Sequence, residues 1–341
     1  MECHVKSVLV TGPGSVAVVE VPTPTVGDAD VLVKMRASGI CGSDAFYIAR
    51  GGIPPREGAT PLGHEPAGEV VEVGAAVEGI TIGDHVVVNP IASRKGMIGS
   101  GGPGGSLSEF LQIPDAVLGT SLAIIPDHIP FDVASLNEPM AVARHAVNRT
   151  APKPGSKVVV FGAGPIGLGA TIAYKRSGAE RVIVVDVIPP RLEKALAVGA
   201  DAVIDSSKED VLARLVELHG PGATAMGSPR AGTDIFLDAA GVPVVVQTAL
   251  DAAKHGATVG IVAVHKKPME IAFGDLLASE VNIVMSMGYP TEIFEVTHDI
   301  IAEWQKFAVI ISDRFDFADV EKALTVASTP GAADKVVVTF S

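Results

Sequence analysis

Cysteine is nearly absent: Cys3 and Cys41 are the only two in 341 residues. No disulfide framework can be built from them, and a reducing, cytoplasmic setting is the expected one. Basic residues are also in deficit, with 26 Lys and Arg against 39 Asp and Glu and a formal net charge of −13. Phosphate backbones and anionic lipid surfaces need a basic face, so nucleic-acid and membrane-surface partners are excluded. Long apolar runs are missing too. The longest uncharged stretch, "VVVFGAGPIGLGATIAY" (158–174), is broken by glycines and a proline and falls short of the about 20 residues a membrane span needs. The opening "MECHVKSVLV" has no signal-peptide layout. A soluble protein is expected.

What is present suffices for two cores: hydrophobic residues make up 48% and charged ones 19%, and the length favours two domains. Up to about residue 120, short valine-rich stretches ("KSVLV", "SVAVVEV", "DVLVKMRASG", "GEVVEVG", "DHVVVNP") alternate with Gly, Pro and Asp turns. That texture predicts a barrel or sandwich, with a mobile glycine-rich loop at 96–105. "FDVASLNEPMAVARHAVNRT" predicts one helix capped by Asp132. From about 150 to 285 apolar strands alternate with helical stretches, which predicts a doubly wound parallel sheet. The tail, a helix in "DFADVEKALTVASTP" and a strand in "KVVVTF", is expected to return to the first domain. Residues 219–233, "HGPGATAMGSPRAGT", read as low complexity.

"VVVFGAGPIGLGA" sets Gly162, Gly164 and Gly167 in G-x-G-x-x-G spacing around Pro165 and Ile166, between a strand and a helix. The first glycine allows the tight turn, the second lets the backbone approach a pyrophosphate, and the third lets helix and strand pack. The helix N-terminus offers its free N–H groups to the phosphates. The next strand, "RVIVVD", ends at Asp186, an acid placed to accept from ribose hydroxyls and repel a 2′-phosphate, which favours NAD over NADP. Arg191 stands nearby, beside the adenine or a phosphate. "AVHKKP", after a strand ending near Val264, is placed for the nicotinamide end, with Lys266 and Lys267 equally readable as solvated charges.

Three segments carry metal-ligand chemistry: Cys41 in "GICGSD", His64 and Glu65 in "GHEPAGEVVEVG", and Glu138 in "NEPMAVARHA". Thiolate, imidazole and carboxylate all suit zinc, and three protein ligands with an open position are the catalytic pattern. Zinc would lower the pKa of a bound hydroxyl, as alcohol oxidation requires. His145, on the Glu138 helix, reads as a packing histidine. Asp44 reads either as a tether for the Cys41 loop or as a substrate contact.

These segments resemble the zinc-dependent medium-chain alcohol and polyol dehydrogenases over nearly the whole chain. "GHEPAGEVVEVG" is similar to their G-H-E-x-x-G-x-x-x-x-x-G signature, and "EPMAVARHA" to a segment of the sorbitol-dehydrogenase-like branch. The resemblance implies a GroES-like catalytic domain over 1–149, completed by 286–341, and a Rossmann NAD-binding domain over 150–285. It implies Cys41 and His64 as zinc ligands. By the same resemblance Glu65 is expected to be a ligand or a group that swaps in for water, and Glu138 to bind zinc directly or through water. Ser43 falls where the family has the hydroxyl that bonds the substrate oxygen, and Tyr47 matches a tyrosine that lines the substrate pocket in the polyol branch. The implied reaction moves a hydride between NAD and a secondary alcohol or polyol.

Three departures stand out. The family's relay histidine is Phe46. No cysteine lies near 90–105, so a single catalytic zinc and no structural zinc is expected. Gly288 stands where polyol dehydrogenases carry an arginine beside their tyrosine (here Tyr289), which leaves room for a different substrate. By the same resemblance, the strand around 281–287 is expected to pair with its mate across a two-fold in a homodimer or homotetramer, and its Val, Ile and Met residues are compatible with such an interface. The competing readings are a zinc-free quinone or enone reductase on the same scaffold, and a non-catalytic nucleotide-binding relative. Retention of Ser43 and all the candidate ligands argues against both.

Overall fold

The computed structural model describes residues 4–53 and 58–341; Cys3 lies outside them, and Cys41 is a free thiol. The chain forms two compact units, Met1–Glu138 with Ile293–Ser341, and Pro139–Glu292.

The first unit is mostly antiparallel sheet. At its centre the strand Val31–Gly39 pairs with Glu65–Val73 on one side and Val336–Thr339 on the other. Val31, Val33 and Met35, at alternate positions on one face, are fully inaccessible, while Lys34 and Arg36 on the other face are half-buried. The register matters for function. Gly39 lies opposite Glu65 on one side and Val337 on the other. Three strand ends therefore converge: Cys41 just beyond one, His64 just before the second, Lys335 just before the third.

Cys41 is the N-cap of the helix Gly42–Arg50, which stops at Gly51 with φ +82°, the left-handed conformation that favours glycine. The single helix expected over 131–150 is two, Phe131–Ala134 and Asn137–Arg149. Asp132 is not a cap. Pro130 occupies that position in extended conformation, and the Asp132 carboxylate accepts from Arg314 Nε at 2.6 Å instead. The glycine-rich loop carries main-chain bonds of its own: Gly99 N–H donates to Gly104 O at 2.7 Å and Gly102 N–H to Met97 O at 2.8 Å.

The second unit carries a six-stranded parallel sheet. Its order is Ala202–Asp205, Arg181–Asp186, Lys157–Phe161, Ile235–Asp238, Thr258–Ile261, Asn282–Met285. Numbered along the chain this is 3-2-1-4-5-6, and the order reverses between the first and fourth strands, where such sheets bind ligands. Val159, Phe161, Ile183, Phe236 and Val259 centre its core. Part of the low-complexity stretch is an antiparallel ribbon, Pro221–Ala223 on Pro229–Ala231. The strand expected to end near Val264 ends at Ile261. No described helix is long and apolar enough to cross a membrane.

Candidate metal centre and nucleotide cleft

In the first unit the ligand atoms of Cys41, His64 and Glu65 all lie within 4.8 Å of one another. The antiparallel register makes this meeting, because it sets the His64–Glu65 turn beside the Gly39–Cys41 strand end. Gly63, at φ +89°, lets that turn sit against the chain at 106–107: a Cβ there would be 2.6 Å from Leu107 N.

Asp44 is fully buried and orders two of the three. Its Oδ2 accepts from Cys41 N–H at 2.9 Å, and its Oδ1 faces His64 Nδ1 at 3.5 Å. Of its two open readings the tether is the one observed. His64 Nε2 is left pointing toward Ser43 Oγ, 3.4 Å away. Burial opposes charging of His64, but Asp44 and Cys41 outweigh it and raise the pKa well above the ordinary histidine value. A metal ion takes the neutral ring and displaces that proton. Carboxylates behind a ligating histidine typically contribute about 10–100-fold in metal affinity. Asp44→Asn is therefore expected to weaken zinc binding by about that factor in a competition titration with a chromophoric chelator. An unchanged affinity would show that Asp44 serves the helix cap alone.

Glu65 is 1% exposed and Lys335 4%, and the two form an ion pair. Their side chains meet over Gly39, where a Cβ would stand 1.7 Å from Glu65 Oε2 and 3.0 Å from Lys335 Cε. Lys335 Nζ also donates to Ile40 O at 3.0 Å. Burial works against the ammonium, but Glu65, Cys41 and Glu138 raise its pKa. The other carboxylate oxygen, Glu65 Oε1, is buried with no hydrogen-bond partner among the described residues. A buried lone pair beside a thiol and an imidazole is a fit for a cation with mixed S, N and O ligands.

Glu138, in the first turn of Asn137–Arg149, is 9% exposed. It stands outside the Cys41–His64–Glu65 group, and its charge reaches Lys335. Asn137 pins that turn by donating to Ile293 O at 2.8 Å and accepting from Thr297 Oγ1 at 2.7 Å. Tyr47 Oη lies 3.3 Å from Ser100 Oγ in the glycine-rich loop. Phe46 is 54% exposed beneath the Arg50 guanidinium, 4.8 Å from its ring centroid. The sequence carries one weak signal for Lys335, a lysine just before the valine-rich strand Val336–Thr339.

In the second unit the three glycines have three distinct environments. Gly162 has φ +96°, and a Cβ on it would press on Ala239 at 3.0 Å. Gly164 has nothing within 4 Å of a built Cβ, and Gly167 would place one 1.8 Å from Gly162 O. Pro165 follows as the first residue of Pro165–Arg176, with Ile166 next. A cleft of about 550 Å³ opens here, lined by Gly162, Gly164, Asp186, Arg191, Ser206 and Thr248 among others. Asp186 accepts from Ala163 N–H at 2.6 Å and from Val187 and Ile188 N–H at 2.7 and 3.0 Å. Gly167→Ala is expected to destabilise this unit by about 1–3 kcal/mol through overpacking and to abolish nucleotide binding. Gly164→Ala should leave the melting temperature unchanged while weakening binding. Thermal melts with and without NADH separate the two effects.

His145 is not merely packed: its Nδ1 lies 2.9 Å from Glu292 Oε1, which also accepts from Asn148 Nδ2 at 3.1 Å. Gly288 has φ +63° with open space around it, and Tyr289 is buried.

A 3-2-1-4-5-6 sheet with a glycine-rich first turn, joined to a β-rich unit that gathers Cys, His and Glu, defines a metal-type nucleotide-dependent oxidoreductase. Residues 27–122 match the alcohol dehydrogenase GroES-like domain family and residues 165–303 the zinc-binding dehydrogenase family. The chain is 33% identical over 302 residues to the (R,R)-butanediol dehydrogenase of Bacillus subtilis (strain 168), covering 82% of this chain and 83% of that one. It is 32% identical over 302 residues to the sorbitol dehydrogenase of Bos taurus, covering 81% and 80%. Two solved structures superpose at 28% identity. One is an alcohol dehydrogenase of E. coli CFT073 complexed with NADH, with TM-score 0.82 and 99% of both chains covered. The other is a zinc-binding dehydrogenase of Sinorhizobium meliloti 1021 bound to NADP, with TM-score 0.84 and 99% and 100% covered. The chain belongs to the zinc-type medium-chain alcohol and polyol dehydrogenases. It is an oxidoreductase of small molecules, in a family whose members bind zinc and a nicotinamide cofactor.

Proposed function

We propose that this protein is a zinc-dependent, NAD-linked dehydrogenase of secondary alcohols or polyols, interconverting alcohol and ketone. The observation that carries this reading is the Cys41–His64–Glu65 group in a chain that also holds the three-glycine turn. The first unit supplies catalysis and the second the nucleotide site. Cys41, His64, Glu65 and Glu138 hold one zinc; residues 90–105 contain no cysteine for a second. Zinc supplies Lewis acidity to the substrate oxygen.

Ser43 Oγ, on the same side of His64 as Nε2, accepts the hydroxyl proton and passes it on. With Phe46 exposed in the relay position, the onward path runs to solvent. Tyr47 orients substrate from the same helix. Gly162, Gly164, Pro165, Ile166 and Gly167 hold the pyrophosphate. Asp186 accepts from the ribose and disfavours a 2′-phosphate, which favours NAD even though relatives with either cofactor exist; Arg191 flanks the adenine. Substrates such as the vicinal diol of the butanediol enzyme fit a site without the polyol arginine better than a hexitol does.

The Asn282–Met285 strand ends its sheet, with Ile283, Met285 and Met287 at 37%, 64% and 86% exposure. An apolar open edge of this kind supports a homo-oligomer built by pairing two such strands.

Elemental analysis together with NADH formation over a panel of diols, tetritols to hexitols and cyclic alcohols, run with NAD and with NADP, tests the reading. One zinc per chain and NAD-dependent oxidation of a secondary alcohol are expected. A zinc-free protein that reduces quinones or enones would overturn it.

A further inference from the structure

We propose that the Asp238–His265 pair is a positioning device for the nicotinamide half of the cofactor, an inference that rests on the nucleotide reading above. Asp238 ends the fourth strand of the parallel sheet, one strand across the switch point from the glycine turn. It is 1% exposed. One oxygen, Oδ1, accepts from Ala240 and Gly241 N–H, both at 2.9 Å. The other, Oδ2, lies 2.6 Å from His265 Nε2. A carboxylate only accepts, so Nε2 carries the hydrogen. The ring's other nitrogen, Nδ1, is buried with no hydrogen-bond partner among the described residues. Asp238 is therefore the ring's polar tether.

The tether joins two loops at the carboxyl ends of neighbouring strands. The Asp238 main-chain carbonyl accepts from Val262 and Ala263 N–H at 3.1 and 3.2 Å. A Cβ on Gly241, at φ +72°, would stand 3.0 Å from Val264 O. The first glycine of the fingerprint packs against the other side of the same turn, because a Cβ on Gly162 would meet Ala239 and Ala240. The glycine turn, the 239–241 turn and the 262–265 loop thus stack side by side. Asp186 and Arg191 lie on one side of the glycine turn, and the cleft they line runs past Gly162 and Gly164 to Ala239 and Ala240 of the neighbouring turn. A dinucleotide bridging the switch point must lay its other half across the two loops that His265 fastens. Around that fastening Val264, Lys266 and Lys267 are exposed; His265 is the side chain turned inward.

The consequence is selective: loosening the tether should penalise ligands that possess the nicotinamide half and spare those that lack it. Zinc-loaded His265→Ala is expected to weaken NADH about tenfold by fluorescence titration or calorimetry, the effect of about 1.4 kcal/mol, while ADP-ribose affinity stays within about twofold. His265→Gln keeps a donor that can reach Asp238 and should restore most of the NADH affinity. Equal losses for NADH and ADP-ribose, or no loss for either, would overturn the positioning role while leaving the nucleotide site intact. A wild-type protein that binds neither ligand would overturn the nucleotide reading, and this inference with it.

Discussion

His64→Ala should leave a folded protein that retains no stoichiometric zinc and has lost at least about 10³-fold in kcat/KM for its alcohol. A Lewis acid at a developing alkoxide is worth several kcal/mol, and each 1.36 kcal/mol is tenfold in rate, so about 4 kcal/mol of lost stabilisation gives that factor. The loss is expected to be larger than for Asp44→Asn, which leaves the imidazole in place and only frees its orientation. The comparison separates ligation from alignment. His64 packs in a turn held by Gly63 and by main-chain bonds, such as Ser106 N–H to Gly63 O at 2.8 Å, so truncation should be tolerated structurally. NADH affinity, carried by the other unit, should be unchanged. Elemental analysis, steady-state rates and an NADH titration on one preparation decide the matter. A variant that keeps both zinc and activity would remove His64 from the site.

Much of this was legible in the sequence because it is local. The turn at Gly162 and the close packing of Gly167 were legible because each constraint acts within a few residues: positive φ at Gly162, and Gly162 O against Gly167. The alternation of valine-rich strands with helical stretches gave the parallel sheet for the same reason. The metal-ligand types were legible too, but not how they meet. That depends on a strand register, Gly39 opposite Glu65, which no spacing along the chain encodes. Lys335 lies 270 residues from Glu65 in the sequence (335 − 65) and reaches it only through the third strand of the same sheet. His265 and Asp238 are invisible as a pair for a like reason, since parallel strands place their ends together irrespective of the helix between them. The helix break at Ser135–Leu136 was missed because both halves carry apolar residues at helical spacing, and periodicity does not register a change of axis.

Lys335→Met is expected to be the most damaging substitution for the metal-free protein. Removing one partner of a buried pair leaves the other charge uncompensated, at a cost of about 3–5 kcal/mol. The Glu65 carboxylate, 1% exposed, would have lost the cation it pairs with among the described residues. The double variant Lys335→Met/Glu65→Gln removes that charge as well and should recover most of the lost stability. Zinc supplies a second test. On the proposed ligand set Glu65 would be shared between a fixed ammonium and a metal; without Lys335, the metal would be the remaining cation within reach. Zinc should therefore raise the melting temperature more in Lys335→Met than in the wild type, and the excess should vanish in the double variant. Methionine matches the lysine stem in length, so lost packing contributes little to the difference. Equal zinc-induced shifts in all three proteins would mean that Glu65 never approaches the metal, leaving Cys41, His64 and Glu138 as the ligands. A larger shift confined to Lys335→Met would identify Glu65 as the carboxylate that exchanges between lysine and zinc.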